Sequence, residues 1–253
     1  MTQHGWPVLF TLGVWWFSTG AILYLDGLPR RTFKWTFGAA TVMLGLALWG
    51  LAVSSQQTRV GSAYCAFLCA VLVWAWQEIA FLLGYVTGPR RIACTPGASG
   101  WKRTSEAVQA VLHHELALIG LAVAVAAVSW NAPNQTGLWT YALLWAMRTS
   151  AKLNIFLGVR NLAESFLPDH LRYMQTYFRR APMNALFPFS VILSTAVAVP
   201  LWLAAVAPST SDFQAVQLSL VGAMLVLAII EHGFMVLPLP SEALWKWGMG
   251  SRK

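Results

Sequence analysis

Charge is what this sequence has least of. Of its 253 residues, 17 are Lys or Arg and 9 are Asp or Glu, so charged residues make up 10%, against about 25% in a soluble domain. With a mean hydropathy of +0.58, that shortage excludes a water-exposed globule. Cysteine is also scarce, at three. Cys65 and Cys69 lie four apart in an apolar segment and Cys94 in a polar connection, which offers neither a disulfide framework nor zinc-ligand spacing. Five histidines are too few for a histidine-box desaturase. No Gly-rich phosphate loop, Ser-His-Asp arrangement or nucleotide motif occurs. The net charge of +8 is not gathered into a basic run on a soluble fold, so no nucleic acid is expected as partner. The opening MTQHGWPVLF has no positive stretch of the kind that begins a signal peptide, so the first apolar segment is expected to stay in the mature protein.

What is present is hydrophobic length. Residues AVILMFWYC make up 57%, with 14 Trp among them. Seven stretches of about 20 residues, the length that crosses a hydrocarbon core, predict an all-α polytopic membrane protein. They run over Pro7 to Leu25, Trp35 to Val53, Ala63 to Val86, Ser105 to Val128, Trp139 to Asn161, Leu186 to Val206 and Phe213 to Leu237. Pro188 and Pro200 predict a kinked sixth span. Gly38, Gly45 and Gly50 suggest close helix packing. The whole of 1–253 reads as one transmembrane domain.

The connections assign an orientation. Fourteen of the 17 Lys and Arg fall in alternate loops and the tail, the other connections hold only Arg59, and Arg148 and Lys152 lie inside a span. By the positive-inside rule the amino terminus is outside (periplasmic) and the carboxyl terminus cytoplasmic, which an odd number of spans requires. Trp6, Trp49, Trp130, Trp139 and Trp202 at outer ends, and Trp35, Trp101, Trp245 and Trp247 at inner ends, form two interfacial belts. In the cytoplasmic segment 163–185, Leu167, Leu171, Met174 and Phe178 recur on one helical face. Arg172, Arg179 and Arg180 take the other side. The pattern suits a short amphipathic helix docked on the anionic leaflet or on a partner, and equally a helix capping the bundle from below.

The fifth stretch, WTYALLWAMRTSAKLNIFLGVRN at 139–161, carries Arg148, Lys152 and Asn154 near its middle. An ionisable side chain at membrane depth is costly unless it meets a partner or a water-filled cavity. Glu78, the triplet His113-His114-Glu115 and the pair Glu231-His232 in other spans supply opposite charge and imidazoles. At about 1.5 Å per residue, Glu78 and His114 lie roughly 15 Å from the cytoplasmic end, Arg148 roughly 18 Å, Lys152 roughly 12 Å and His232 roughly 9 Å. One polar layer, gathered into a single pocket, is therefore expected in the cytoplasmic half.

Three roles fit that layer. It can neutralise itself, carboxylates against cations, and so fix which helices associate. It can hold a metal ion on Glu78, His114 or His113, Glu115, Glu231 and His232, as carboxylates and imidazoles do in helical bundles, and so form a membrane metalloenzyme acting on a lipid-soluble substrate. Against this, adjacent residues diverge by about 100° on a helix instead of sharing a face as in Glu-x-x-His, and two nearby cations repel a dication. It can also serve a tetrapyrrole, with a span histidine on its central magnesium, or a quinone, with the histidine hydrogen-bonded to a carbonyl.

Three passages, AKLNIFLGVRNL at 151–162, FLPDHLRYMQTYFRRAPMNALFPFS at 166–190 and EHGFMVLPLPSEALWKW at 231–247, resemble the PuhE family. This is the photosynthetic complex assembly protein 2 family of purple phototrophic bacteria, whose gene usually lies near that of the reaction-centre H subunit. The likeness extends over the whole chain, including the HHE triplet at 113–115. It implies a multi-pass protein of the bacterial inner (intracytoplasmic) membrane that supports assembly of the reaction centre and core antenna, with their subunits as partners. It carries no chemistry over to individual residues, and it is compatible with bacteriochlorophyll delivery, with subunit holding and with a pigment-modifying reaction.

Overall fold

In the computed structural model, which describes residues 3–252, the chain forms seven α-helices. They are α1 (Gly5–Asp26), α2 (Phe33–Ser55), α3 (Val60–Leu82), α4 (Gly100–Val128), α5 (Thr136–Leu157), α6 (Leu186–Ala205) and α7 (Asp212–Val236). Each follows an apolar stretch in the sequence, with ends shifted by a few residues. Helix α7 starts on a capping box, in which Ser211 Oγ accepts from Gln214 N at 3.3 Å and the Gln214 side chain accepts from Ser211 N. Helix α5 stops at Leu157, short of the expected Asn161, because Gly158 takes φ +124°, a backbone that side-chain-bearing residues avoid. Pro188 sits in the first turn of α6, where its missing N–H breaks no helical bond, so only Pro200 interrupts the helix interior.

Six of these helices are long and apolar enough to cross a membrane, and α5 is the exception, its hydropathy lowered by Arg148, Lys152 and their polar neighbours. Burial divides the bundle. Helix α3 is 72% and α7 61% buried over its apolar window, whereas α6 is 6%. Helix α3 touches α1, α2, α4, α5 and α7, so its apolar residues face protein on almost every side. Those of α6 mostly face outward, as lipid-facing residues do. Helices α1 and α7 run parallel, since His4 meets Ser219 and Trp15 meets Glu231 at sequence offsets of 215 and 216.

The segment after α5 corrects the expected amphipathic helix. It forms the 3-10 turns Glu164–Phe166 and Asp169–Tyr177. Leu171 and Met174 are buried against Phe81 and Leu82, while His170 Nε2 donates to Leu82 O at 2.9 Å. The apolar face that suggested a membrane-surface helix is thus spent on the end of α3. Arg172 pairs with Asp169 at 2.8 Å and Arg180 with Glu164 at 3.2 Å, and Arg179 is exposed. Arg90 and Arg103 lace the same region together. Arg90 binds Glu106 at 3.1 Å and the Tyr177 hydroxyl at 2.8 Å, and Arg103 donates to Phe156 O and Tyr177 O.

Beyond α7 the chain turns back along α1. Trp245 Nε1 donates to Trp16 O at 3.1 Å, Ser251 to Tyr24 O at 2.8 Å, and Arg252 binds both Asp26 carboxylate oxygens at 2.7 and 2.9 Å. Gly20 and Gly248 permit this contact. A Cβ on Gly20 would stand 2.0 Å from the Trp247 ring, and one on Gly248 would stand 2.3 Å from Gly20 O. Trp245, expected at the interface, is 3% exposed inside this seam.

Candidate functional site

Between α1, α3, α5 and α7 lies a cavity of about 810 Å³, within the 300–1,000 Å³ range of ligand sites. The helical repeat explains its walls. Val71, Trp74, Ala75, Glu78 and Leu82 share one face of α3, and Leu144, Met147, Arg148, Ala151 and Ile155 share one of α5. Trp15 of α1 and Met224, Glu231 and His232 of α7 complete the deep end. The connection after α5 and the returning tail close the other end, joined where Arg252 donates to Ser165 O and to Phe166 O.

Arg148 Nη2 reaches Glu78 Oε2 at 3.1 Å, a single contact that leaves the rest of the guanidinium open; its side chain is 45% exposed, toward the cavity. Glu78 Oε1 is buried and has no hydrogen-bond partner. Glu231 Oε1 accepts from the Trp15 indole at 2.7 Å; the residue is exposed and lines the cavity. Two carboxylates and one guanidinium thus face the same space.

The other polar residues go elsewhere. Lys152 pairs with Glu115 on the α4 side of α5, both half-buried. His114 is 2% exposed, its ring 4.5 Å from Phe81 and its Nδ1 without a partner. His113 points outward and is exposed. Asn154 turns to α6: its Nδ2 donates to Ser190 Oγ at 3.1 Å, and its Oδ1 accepts from Asn184 at 3.0 Å. Ser150 Oγ lies 2.9 Å from both Ser190 Oγ and His232 Nε2. His232 Nδ1 faces Ala228 O at 2.9 Å, and a carbonyl there demands the Nδ1–H tautomer, leaving Nε2 to accept from Ser150.

The single pocket expected from the sequence is therefore divided. Glu78, Arg148, Glu231 and one edge of His232 line the cavity; Lys152 and Glu115 form a separate pair; Asn154 belongs to a neutral network. The residues weighed as metal ligands do not converge, and among the described residues no three His, Cys, Asp or Glu stand close enough together to hold a metal ion. The reason is local: neighbours such as His114 and Glu115 leave a helix in different directions.

Sequence reasoning missed Trp15, Ser150, Asn184 and Ser190, none of them charged, and the Asp26–Arg252 clasp that ties tail to α1. The spacing of Ser150 to Asn154, one helical turn, was the available sign of the first network.

Comparison with known proteins adds a family. A Rhodobacter capsulatus protein described as "Uncharacterized 30.4 kDa protein in puhA 5'region" is 41% identical over 256 residues, covering 98% of this chain and 92% of its own. No solved structure matches the chain. A family model described as "Protein of unknown function (DUF3623)" matches residues 1–253, and the chain belongs to that family.

Proposed function

We propose that this chain is an assembly factor for the photosynthetic reaction centre and core antenna, working in the inner (intracytoplasmic) membrane of a phototrophic bacterium. The observation that carries this reading is the relative from the puhA 5' region, 41% identical along nearly the full length of both chains. The three passages that resemble the PuhE family agree with it. In this reading the protein spans the membrane seven times, amino terminus outside and carboxyl terminus cytoplasmic. The parallel run of α1 and α7 supports seven crossings, because removing α5 from the alternation would leave those two helices antiparallel. The partners are reaction-centre or light-harvesting subunits within the bilayer. The outward faces of α6 are available to their helices, and exposed Arg172, Arg179 and Arg180 to their cytoplasmic ends or to anionic lipid.

The metal-enzyme alternative gains nothing from the geometry, since its ligands are scattered. A bacteriochlorophyll would need a free imidazole nitrogen as ligand, and His232 has both engaged. Pigment ligation therefore does not fall to His232.

The test is an affinity-tagged copy in a phototrophic host, sampled as photosynthetic growth begins. Reaction-centre subunits are expected to co-purify with it, and a deletion strain is expected to show weaker reaction-centre and core-antenna absorption. Normal absorption in the deletion strain, with no subunit retained by the tagged protein, would refute the proposal.

A further inference from the structure

We propose that the cavity between α1, α3, α5 and α7 binds a membrane-soluble amphiphile whose polar end is a cation of the protonated-amine class. The inference stands apart from the assembly role and concerns this chain alone.

The size and lining of the space limit what can fill it. At about 810 Å³ the cavity is far larger than the packing voids of a protein interior. Water alone would wet the faces of Trp15, Trp74, Leu144, Met147 and Met224, which is unfavourable in proportion to apolar area. An acyl chain alone would leave Glu231 facing hydrocarbon, which is costly for a carboxylate. A molecule with an apolar body and a polar end satisfies both walls.

Charge selects the polar end. Four carboxylates line the cavity (Glu78, Glu231, Glu164 and Glu242) against three cations (Arg148, Arg180 and Lys246). Near the mouth, Glu164 is matched by Arg180 at 3.2 Å, and Glu242 and Lys246 cancel in sign. In the deep part Arg148 is engaged by Glu78, and the direct partner of Glu231 is a neutral indole. Glu78 also keeps one buried oxygen, Oε1, without a partner. Counted as formal charges, the lining is one positive charge short, and the carboxyl without a cationic partner is that of Glu231, which opens to the cavity. A carboxylate-headed amphiphile would worsen this shortfall, and a neutral alcohol would leave it in place.

The experiment uses the full-length protein in a non-ionic detergent and three dansyl-labelled probes of equal chain length, ending in an amine, an alcohol or a carboxylate. Binding is read as energy transfer from tryptophan to the dansyl group. The amine probe is expected to saturate one site, at least tenfold more tightly than the other two. In Glu231→Gln, where the amide oxygen can still accept from Trp15, its affinity is expected to fall to that of the alcohol. Ala151→Phe, which adds a ring to the cavity wall, is expected to weaken all three probes. Equal affinities in the unaltered protein, a preference for the carboxylate, or amine binding unchanged in Ala151→Phe would each overturn the proposal without relying on how the Glu231 variant folds.

Discussion

The two faces of α5 carry polar side chains at interleaved positions along one helix, yet the bundle treats them differently. Arg148 and Lys152, one turn apart, reach carboxylates on α3 and α4. Ser150 and Asn154, also one turn apart and about 200° round the helix, enter a neutral network with Ser190, Asn184 and His232. The neutral face is closed: Asn154 is 0% exposed and hydrogen-bonded through both amide atoms. On the charged face, the Arg148 part is open, with one guanidinium contact and the cavity beyond, and behind it a buried Glu78 oxygen has no partner. Neutral dipoles can be satisfied inside a bundle by geometry alone. Buried ions carry a desolvation cost that pairing only partly offsets. That difference makes the neutral face a structural joint and the charged one a place to bind.

The largest effect is expected of Arg148→Ala. Arg148 is 45% exposed and only Glu78 is buried, so the cost should fall short of that of a fully buried pair, at about 2–3 kcal/mol for a lost hydrogen bond to a buried charge. The loss should appear as a lower melting temperature in detergent and less protein in the membrane, and adding Glu78→Gln should recover most of it. Full stability of the single variant would mean that Glu78 is carried by something other than Arg148.

The tail comes next. Gly20→Ala puts a methyl group into the Trp247 ring, an overpacking that costs about 1–3 kcal/mol. The expected readout is faster tryptic cleavage at Lys246 while the helices stay protected. Unchanged cleavage would show that the tail is held without the glycine contact.

Asn154→Ala tests the neutral face and should cost less than Arg148→Ala, about 1–2 kcal/mol, the range of interhelical hydrogen bonds in membranes. If calorimetric or chemical unfolding shows a larger loss than for the arginine variant, the neutral face and not the charged one holds the helices together.

The smallest effect lies outside both faces. Burial holds the His170 imidazole below its usual range, opposed by its hydrogen bond to Leu82 O. A group depressed in this way contributes stability that is complete above its unfolded value of about 6.5 and fades as pH falls through its folded value. Because the ring is only partly enclosed, the contribution should be well under about 1 kcal/mol. Between pH 7.5 and 5.5 the unaltered protein should lose slightly more melting temperature than His170→Gln, and equal losses would remove His170 as a contributor.

The helices were readable because hydropathy and length act locally. Each apolar stretch became a helix, and Arg148 and Lys152 announced that they needed carboxylates nearby. The partner of each charge was less readable. Glu231 was grouped with the cations by depth, but its direct hydrogen bond comes from Trp15, a residue with no charge to mark it. Leu167, Leu171, Met174 and Phe178 have the spacing of an amphipathic helix. Their segment nevertheless forms 3-10 turns against α3, because apolar spacing specifies a face to bury and not what buries it. Trp245 and Arg252 looked like interfacial and topological residues, and their work is to clasp α1.

By itself, then, the sequence determined where the chain is helical and that ions inside those helices would require partners, since both follow from the free energy of polar groups near hydrocarbon. Tertiary structure alone decided that Arg148 meets Glu78, that Asn154 belongs to a different network, and that the tail returns to close a cavity. Those outcomes depend on which helix faces meet and how closely, and contacts such as Gly20 against Gly248 set that distance across more than two hundred residues of chain.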